Sequence, residues 1–258
     1  KSDYSDNFVL KGGLFIYSLT EFDSRVTVDI DFLLKSLPNT PEQLRAILER
    51  IISVDTGNEF ITFEITSVLP ISVAKKYAGI SASLVAHIKN TRTPFSIDFG
   101  VGDVIVPKQE KRKIPTQLND FSSPMINTYS LETTIAEKID AILSLMEFSS
   151  RMKDYYDIYY LANKFDFDGK ILVDALKRTF ANREHNFTVE QFEQVMSFDA
   201  DDLMQRKWKA FIKKIDAKTD DFSKVINTID DFLRFPIETA LNGTNFLMQW
   251  KASSNIWE

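Results

Sequence analysis

Residues 11–32 read KGGLFIYSLTEFDSRVTVDIDF, and their types could manage phosphate and a metal ion. Gly12 and Gly13 open a segment, Leu14 to Leu19, that reads as a helix. Glycine lets a backbone come close to a phosphate, and a helix N-terminus favours negative charge. Beyond a polar loop, Val26, Val28, Ile30 and Phe32 alternate with Arg25, Thr27, Asp29 and Asp31, the pattern of a strand. Alternation puts Asp29 and Asp31 on one side, one pleat apart. Two carboxylates that close repel unless a cation lies between them. Hard oxygen ligands suit Mg²⁺, which is usually held by one or two carboxylates together with substrate phosphates. Each half alone also fits a plain turn or a solvated strand edge; together they read as a nucleoside triphosphate and magnesium site.

Other residues can join this set. Asp98 stands between Ile97 and Phe99 on a short strand, so it points away from their face and could add a third carboxylate. Asp103, after Gly100 and Gly102, reads as a turn residue. Within an apolar helical stripe of Leu131, Ile135, Ile142, Leu145 and Met146, Lys138 is out of place. A lysine there must meet an anion or snorkel to water. On the following helix Asp154 aligns with Ile158, Leu161 and Phe165 and needs a partner, for which Lys138 and Arg151 are candidates. Lys153 and Asp157, four apart on a more polar side, read as a surface ion pair. Tyr155, Tyr156 and Tyr159 read as core packing.

The elements that position these groups fall into two styles. Up to residue 106, β and α segments mix: strands at 26–32, 60–69 and 95–99, a helix at 41–53, and turns at 77–79 and 90–94. Residues 107–124 are polar and proline-bearing and read as a linker. From 125 to 258 the pattern is helical, with helices near 130–147, 150–164, 168–182, 188–197, 200–216 and 219–241. The tail beyond Gly243 fits neither pattern clearly.

Composition limits the chemistry. The chain has 258 residues, 44% of them hydrophobic, and 21 phenylalanines, enough for a packed core. It has no cysteine, which removes thiol catalysis, disulfides and thiolate zinc sites and points to the cytoplasm. His87 and His185 are far apart in sequence and suggest neither a zinc cluster nor a serine triad. Carboxylates must therefore carry any metal. The net charge of −6 argues against general nucleic-acid binding. Lys108, Lys111, Arg112 and Lys113 form the one basic cluster that could meet the phosphates of a polynucleotide, although a solvated loop is the plainer reading.

Four motifs in a fixed order resemble the AbiEii/AbiGii nucleotidyltransferase-like toxins. They are Lys11-Gly-Gly followed by Arg25-x-Thr-x-Asp-x-Asp, then Ile97-Asp98-Phe99, then Glu137-Lys138, then Arg151-x-Lys-Asp-Tyr-x-Asp157. The resemblance implies an α+β fold: a minimal nucleotidyltransferase domain with a mixed sheet, followed by an all-helical C-terminal domain. It implies that Lys11, Gly12, Gly13, Arg25, Lys138 and Lys153 bind the nucleotide and that Asp29, Asp31 and Asp98 ligate Mg²⁺. It also places Asp29, Asp31, Asp98, Lys138 and Asp154 in catalysis, with Lys138 on phosphates across an interdomain cleft. Many nucleotidyltransferases have Gly-Ser at the first motif, so Gly13 leaves the phosphate to backbone amides.

The expected reaction is in-line transfer of a nucleotide from an NTP to an acceptor, an RNA and above all the 3′ end of tRNA. The alternatives are an NTP-dependent modifier of a protein such as an antitoxin, and a non-catalytic nucleotide-binding toxin component. The resemblance further implies a bacterial toxin–antitoxin or abortive-infection role and a cognate antitoxin with a winged-helix domain. No run of apolar residues is long enough to span a membrane.

Overall fold

The computed structural model describes residues 1–57, 60–71, 79–118, 120–217 and 221–258. They fall into two compact units, one of residues 1–103 and 109–129, the other of residues 104–108 and 130–258. No helix of the described residues is long and apolar enough to cross a membrane.

The first unit is built on a seven-stranded sheet in the order β3-β4-β5-β2-β1-β7-β6. Its strands are β1 (Phe8–Lys11), β2 (Ile30–Leu34), β3 (Ile61–Pro70), β4 (Ile80–Ile88), β5 (Thr91–Val101), β6 (Glu110–Lys113) and β7 (Met125–Thr128). β2 runs parallel to β5, and β1 to β7; the other pairs are antiparallel. Helix α1 (Gly12–Leu19) follows β1 directly, and α2 (Pro41–Ile52) lies between β2 and β3. The α2 start matches its sequence: Thr40 Oγ1 accepts the Gln43 N–H, and Pro41 occupies the first turn, where its missing N–H costs nothing. Leu44 and Leu48 of α2 pack with Leu34, Val68, Ile80 and Phe99 in one apolar cluster.

The second unit holds α3 (Leu131–Leu145), α4 (Met152–Lys164), α5 (Gly169–Asn182), α6 (Val189–Met196), α7 (Asp202–Ile215) and α8 (Phe222–Asn242). Side-chain caps from Ser130, Asp168, Thr188, Asp201 and Asp221 start five of them. The unit also carries β8 (Phe167–Asp168), β9 (Gln249–Lys251) and β10 (Ile256–Trp257), which form a three-stranded sheet in the order β10-β9-β8. The unassigned tail thus folds back, and buried Trp250 donates its indole N–H to Ala162 O at 2.7 Å.

Several elements differ from the sequence reading. The strand expected at 26–32 enters the ladder only at Ile30, because Val26 and Val28 are 69% and 87% exposed and have nothing to pack against. Residues 91–94 are strand, with Arg92 opposite His87 and Pro94 opposite Val85. The reversal is tighter, at Lys89–Asn90, where Lys89 has φ 52°. The expected turn at 77–79 falls mostly outside the described residues, as does the start of the helix expected at 219. Within 107–124, Glu110–Lys113 is an edge strand on Met125–Thr128. Its charges, typical of a protected sheet edge, make it read as loop.

Candidate functional site

The centre of the site is a row of residues across three strands. Lys11 of β1 is the Cα partner of Asp31 on β2, and Asp31 is the partner of Asp98 on β5. Register neighbours project from the same face of a sheet about 4.8 Å apart. The Lys11 ammonium and two carboxylates therefore start side by side. Asp31 is half-buried, and Asp98 is exposed while its neighbour Phe99 is buried.

Gly12 closes one side of this row. It has φ +68°, in the left-handed region that glycine tolerates. A Cβ there would stand 2.3 Å from Asp31 Oδ2, so only a glycine lets the chain turn against this carboxylate. Gly13 is equally close to the loop before β2: a Cβ would lie 3.0 Å from Thr27 Oγ1 and 3.3 Å from an Arg25 guanidinium nitrogen. The first turn of α1 thus has a hydroxyl and a cation pressed against it. Thr27 Oγ1 also accepts the Asp29 N–H at 3.2 Å, which fixes the backbone of Asp29 beside them. Asp29 itself is exposed and lies one residue outside the ladder.

Lys11 has partners that the sequence did not disclose. Its ammonium meets Asp103 Oδ2 at 2.6 Å and the Tyr129 hydroxyl at 3.1 Å, and it lies 4.8 Å from the Tyr129 ring centroid. Asp103, read as a turn residue, is thus a charge partner. Tyr129, fully buried, had no signal in the sequence because its role depends on β7 lying next to β1.

The chemistry of the donors fits Mg²⁺. Asp31 and Asp98 offer adjacent hard oxygens, and Asp29 lies two residues from Asp31. Among the described residues no three or more His, Asp or Glu side chains already form an ion cage.

The other expected residues lie in the second unit. Lys138 of α3 is 8% exposed, and its ammonium bonds Asp154 Oδ1 at 3.1 Å and Asp157 Oδ2 at 2.6 Å, both on α4. Arg151 Nε bonds Asp154 Oδ2 at 2.5 Å, so both partners proposed for Asp154 are present. Burial pushes the Asp154 carboxyl up, but Lys138 and Arg151 outweigh it and hold it below its usual range. Asp157 is not on a polar surface: it is 1% exposed. Lys153 is half-buried at the start of α4. Burial, then the neighbouring Asp154 charge, pushes the Tyr155 hydroxyl up. Tyr155 packs edge-on against Phe222. Neither histidine belongs to a metal cluster among the described residues; His87 meets Glu64, and His185 meets Asp140.

The family model for AbiEii, described as a nucleotidyl transferase toxin of the type IV toxin–antitoxin system, matches residues 1–234. Among solved structures, JHP933 from Helicobacter pylori is similar with a TM-score of 0.52 and 15% identity over 93% of this chain and 90% of that one. A second H. pylori structure, provisionally assigned as a nucleotidyltransferase, gives a TM-score of 0.48 and 13% identity over 94% and 92% of the two chains. No curated protein matches the sequence.

Proposed function

The chain belongs to the AbiEii family of nucleotidyl transferase toxins of type IV toxin–antitoxin systems, and we propose that it is a magnesium-dependent enzyme transferring a nucleotide from an NTP to the 3′ end of an RNA, with tRNA as the acceptor. The observation that carries this reading is the Lys11–Asp31–Asp98 row with the Gly12 backbone packed against Asp31. Two carboxylates beside a glycine turn and a helix N-terminus match the needs of a triphosphate and its metal.

In this reading the first turn of α1 offers its unpaired N–H groups to the triphosphate. Arg25, against Gly13, supplies positive charge. Thr27 supplies the hydroxyl that a serine at position 13 would otherwise bring: its Oγ1 already fills the space next to Gly13. Asp98 accepts the proton of the attacking hydroxyl. The acceptor oxygen then bonds to the α-phosphorus, the bond from that phosphorus to the bridging oxygen breaks, and pyrophosphate leaves. Asp29, Asp31 and Asp98 would hold a magnesium ion, which when bound would supply charge neutralisation for the phosphates and the departing pyrophosphate.

Lys138 and Asp154 enter this reading as the charged joint between α3 and α4. An antitoxin partner follows from the type IV family, and a winged-helix protein encoded beside the toxin is the expected one. Action on tRNA places the enzyme in the cytoplasm.

The test is incubation with each labelled NTP, Mg²⁺ and total tRNA, with the product identified by mass. Label should enter RNA, depend on Mg²⁺, and fall at least 100-fold with Asp31→Asn. Label on a protein instead would move the acceptor to the antitoxin. No label in either, with toxicity unchanged by Asp31→Asn, refutes the transferase reading.

A further inference from the structure

Asp103 is neither a metal ligand nor a proton acceptor in the transfer, yet it holds Lys11, the cation of the row. Its place is set by the strand that carries Asp98. Gly100, two residues after Asp98, faces the same side of β5, and a Cβ on it would stand 3.7 Å from Asp103 Oδ2. The Asp103 carboxylate therefore lies over the next pleat of the face that bears Asp31 and Asp98. β5 ends at Val101, and Gly102, with φ 82°, lets the chain double back to bring Asp103 there. One short segment, residues 98–103, thus delivers an acid to the row and a second acid beside it.

The contacts of Lys11 with Asp103 and Tyr129 form a triangle within the first unit. The ammonium donates to Asp103 Oδ2 at 2.6 Å and to the Tyr129 hydroxyl at 3.1 Å, and that hydroxyl donates to Asp103 Oδ2 at 3.4 Å. The Tyr129 ring centroid lies 4.8 Å from the ammonium, within cation–π range. A lysine charge sits on a flexible four-carbon stem, so it is located only as well as such contacts locate it.

Stability alone does not account for the arrangement. The Lys11 and Asp103 side chains are 15% and 19% exposed, and an ion pair so far out of water gains little over apolar packing of the same volume. Asp103 also adds a carboxylate to a region that already carries Asp29, Asp31 and Asp98, where like charges repel. What the pair supplies is position. Lys11 is the register neighbour of Asp31 and the N-cap residue of α1, whose first turn meets the triphosphate in the transfer reading. An ammonium fixed there meets the charge that builds on the phosphates without reorganising, which is where a preorganised cation gains most.

We propose that Asp103 is a positioning residue of the nucleotide transfer: with Tyr129, it holds the Lys11 ammonium where negative charge builds on the phosphates. The proposal rests on the transferase reading and extends it to a residue that acts through Lys11. The measurement is single-turnover and steady-state transfer from labelled NTP to total tRNA by the intact chain. Asp103→Asn keeps the size and removes the charge, so the ammonium remains but is displaced by on the order of 1 Å. The kcat should fall at least about 30-fold, with the KM for NTP within about threefold of the wild type. In a Lys11→Met background the same change should cost less than about twofold, because no ammonium is left to place. Asp103→Glu restores the carboxylate, and the open side of Gly100 leaves room for its extra methylene; kcat should return to within about fivefold of the wild type. Tyr129→Phe removes one hydroxyl and keeps the ring, and should lower kcat about tenfold, again only when Lys11 is present. It carries the test if circular dichroism shows that Asp103→Asn does not fold.

A kcat within threefold of the wild type in both Asp103→Asn and Tyr129→Phe overturns the positioning role and leaves the transferase reading standing. A loss of equal size with and without Lys11 overturns it too, since Asp103 would then act on its own. A loss confined to KM places Lys11 in ground-state binding and likewise overturns it. A wild type that transfers nothing overturns the transferase reading and this role with it.

Discussion

Replacing Lys138 by methionine keeps most of the side chain's apolar length and removes only its charge. The two carboxylates it bonds, Asp154 and Asp157, are 0% and 1% exposed. Breaking a buried ion pair by removing one partner costs about 3–5 kcal/mol, because the other charge remains buried. Arg151 still holds Asp154, so the lower part of that range, about 3–4 kcal/mol, is expected. This differs from the sequence expectation, in which Lys138 faces phosphates and its loss leaves the fold largely intact.

The assay can be confined to the second unit. All three tryptophans, Trp208, Trp250 and Trp257, lie there. With a urea slope of about 2 kcal/mol per M, the fluorescence midpoint should fall by roughly 1.5–2 M at pH 7. The effect should depend on pH. In the wild type the Asp154 carboxyl is held below its ordinary value. Its contribution is thus present above about pH 4, the unfolded value, and is lost as pH falls through the lower folded value. In the variant, burial remains while one of the two cations is gone, so the carboxyl shifts up and takes a proton sooner. The gap between variant and wild type should therefore be widest near pH 7 and narrow toward pH 4. A midpoint shift below about 0.3 M at pH 7, or a gap that widens in acid, refutes this account of the cluster. Lys153→Met, at a half-buried position rather than a buried one, should cost less than about 1 kcal/mol in the same titration.

Gly12→Ala forces a side chain into the left-handed region and onto the Asp31 carboxylate; transfer to RNA should fall at least about 100-fold, as expected for a misplacement on the order of 1 Å, measured with the labelled NTP. Thr27→Ala should raise the KM for NTP by about tenfold or more, the value of a hydrogen bond to a charged group, and Thr27→Ser should retain most of it in steady-state kinetics. Trp250→Phe removes the bond to Ala162 O together with packing volume; urea unfolding followed by circular dichroism should show a loss of about 2 kcal/mol.

Where local pattern and tertiary packing agreed, the fold was legible. The helices of the second unit stood out because each carries an apolar stripe, and several begin at Ser, Thr or Asp. Strands were harder. β4 alternates only over its first five residues, where Ile80, Ala82 and Leu84 are buried, and the period is lost at Val85, which is buried as well. β6 reads as loop because an edge strand is protected by its charges. β1 and β7 have four residues each, too short for a period to be recognised. The tail hairpin depends on Trp250 reaching Ala162, a contact across 88 residues that no window contains.

The same boundary between local and distant information runs through the site. The spacing of Asp29 and Asp31 is local, and the sequence displays it. That Asp98 stands beside Asp31 follows only once β5 pairs with β2, and that Asp103 meets Lys11 requires β1 to reach a turn 92 residues later. Asp157 is the instructive error. At position i+4 from Lys153 it matched a surface pair, and a local rule supplied a local partner. Yet Asp154 and Asp157 are three apart, so helical geometry sets them on one face of α4. Once α3 packs on that face, a single lysine can reach both. Two acids three apart on a helix, opposite a lysine in an apolar stripe of the preceding helix, form a charge-compensation pattern that sequence alone could have exposed. Its physical demand is that buried carboxylates need cations beside them, here Lys138 for both acids and Arg151 for Asp154 as well.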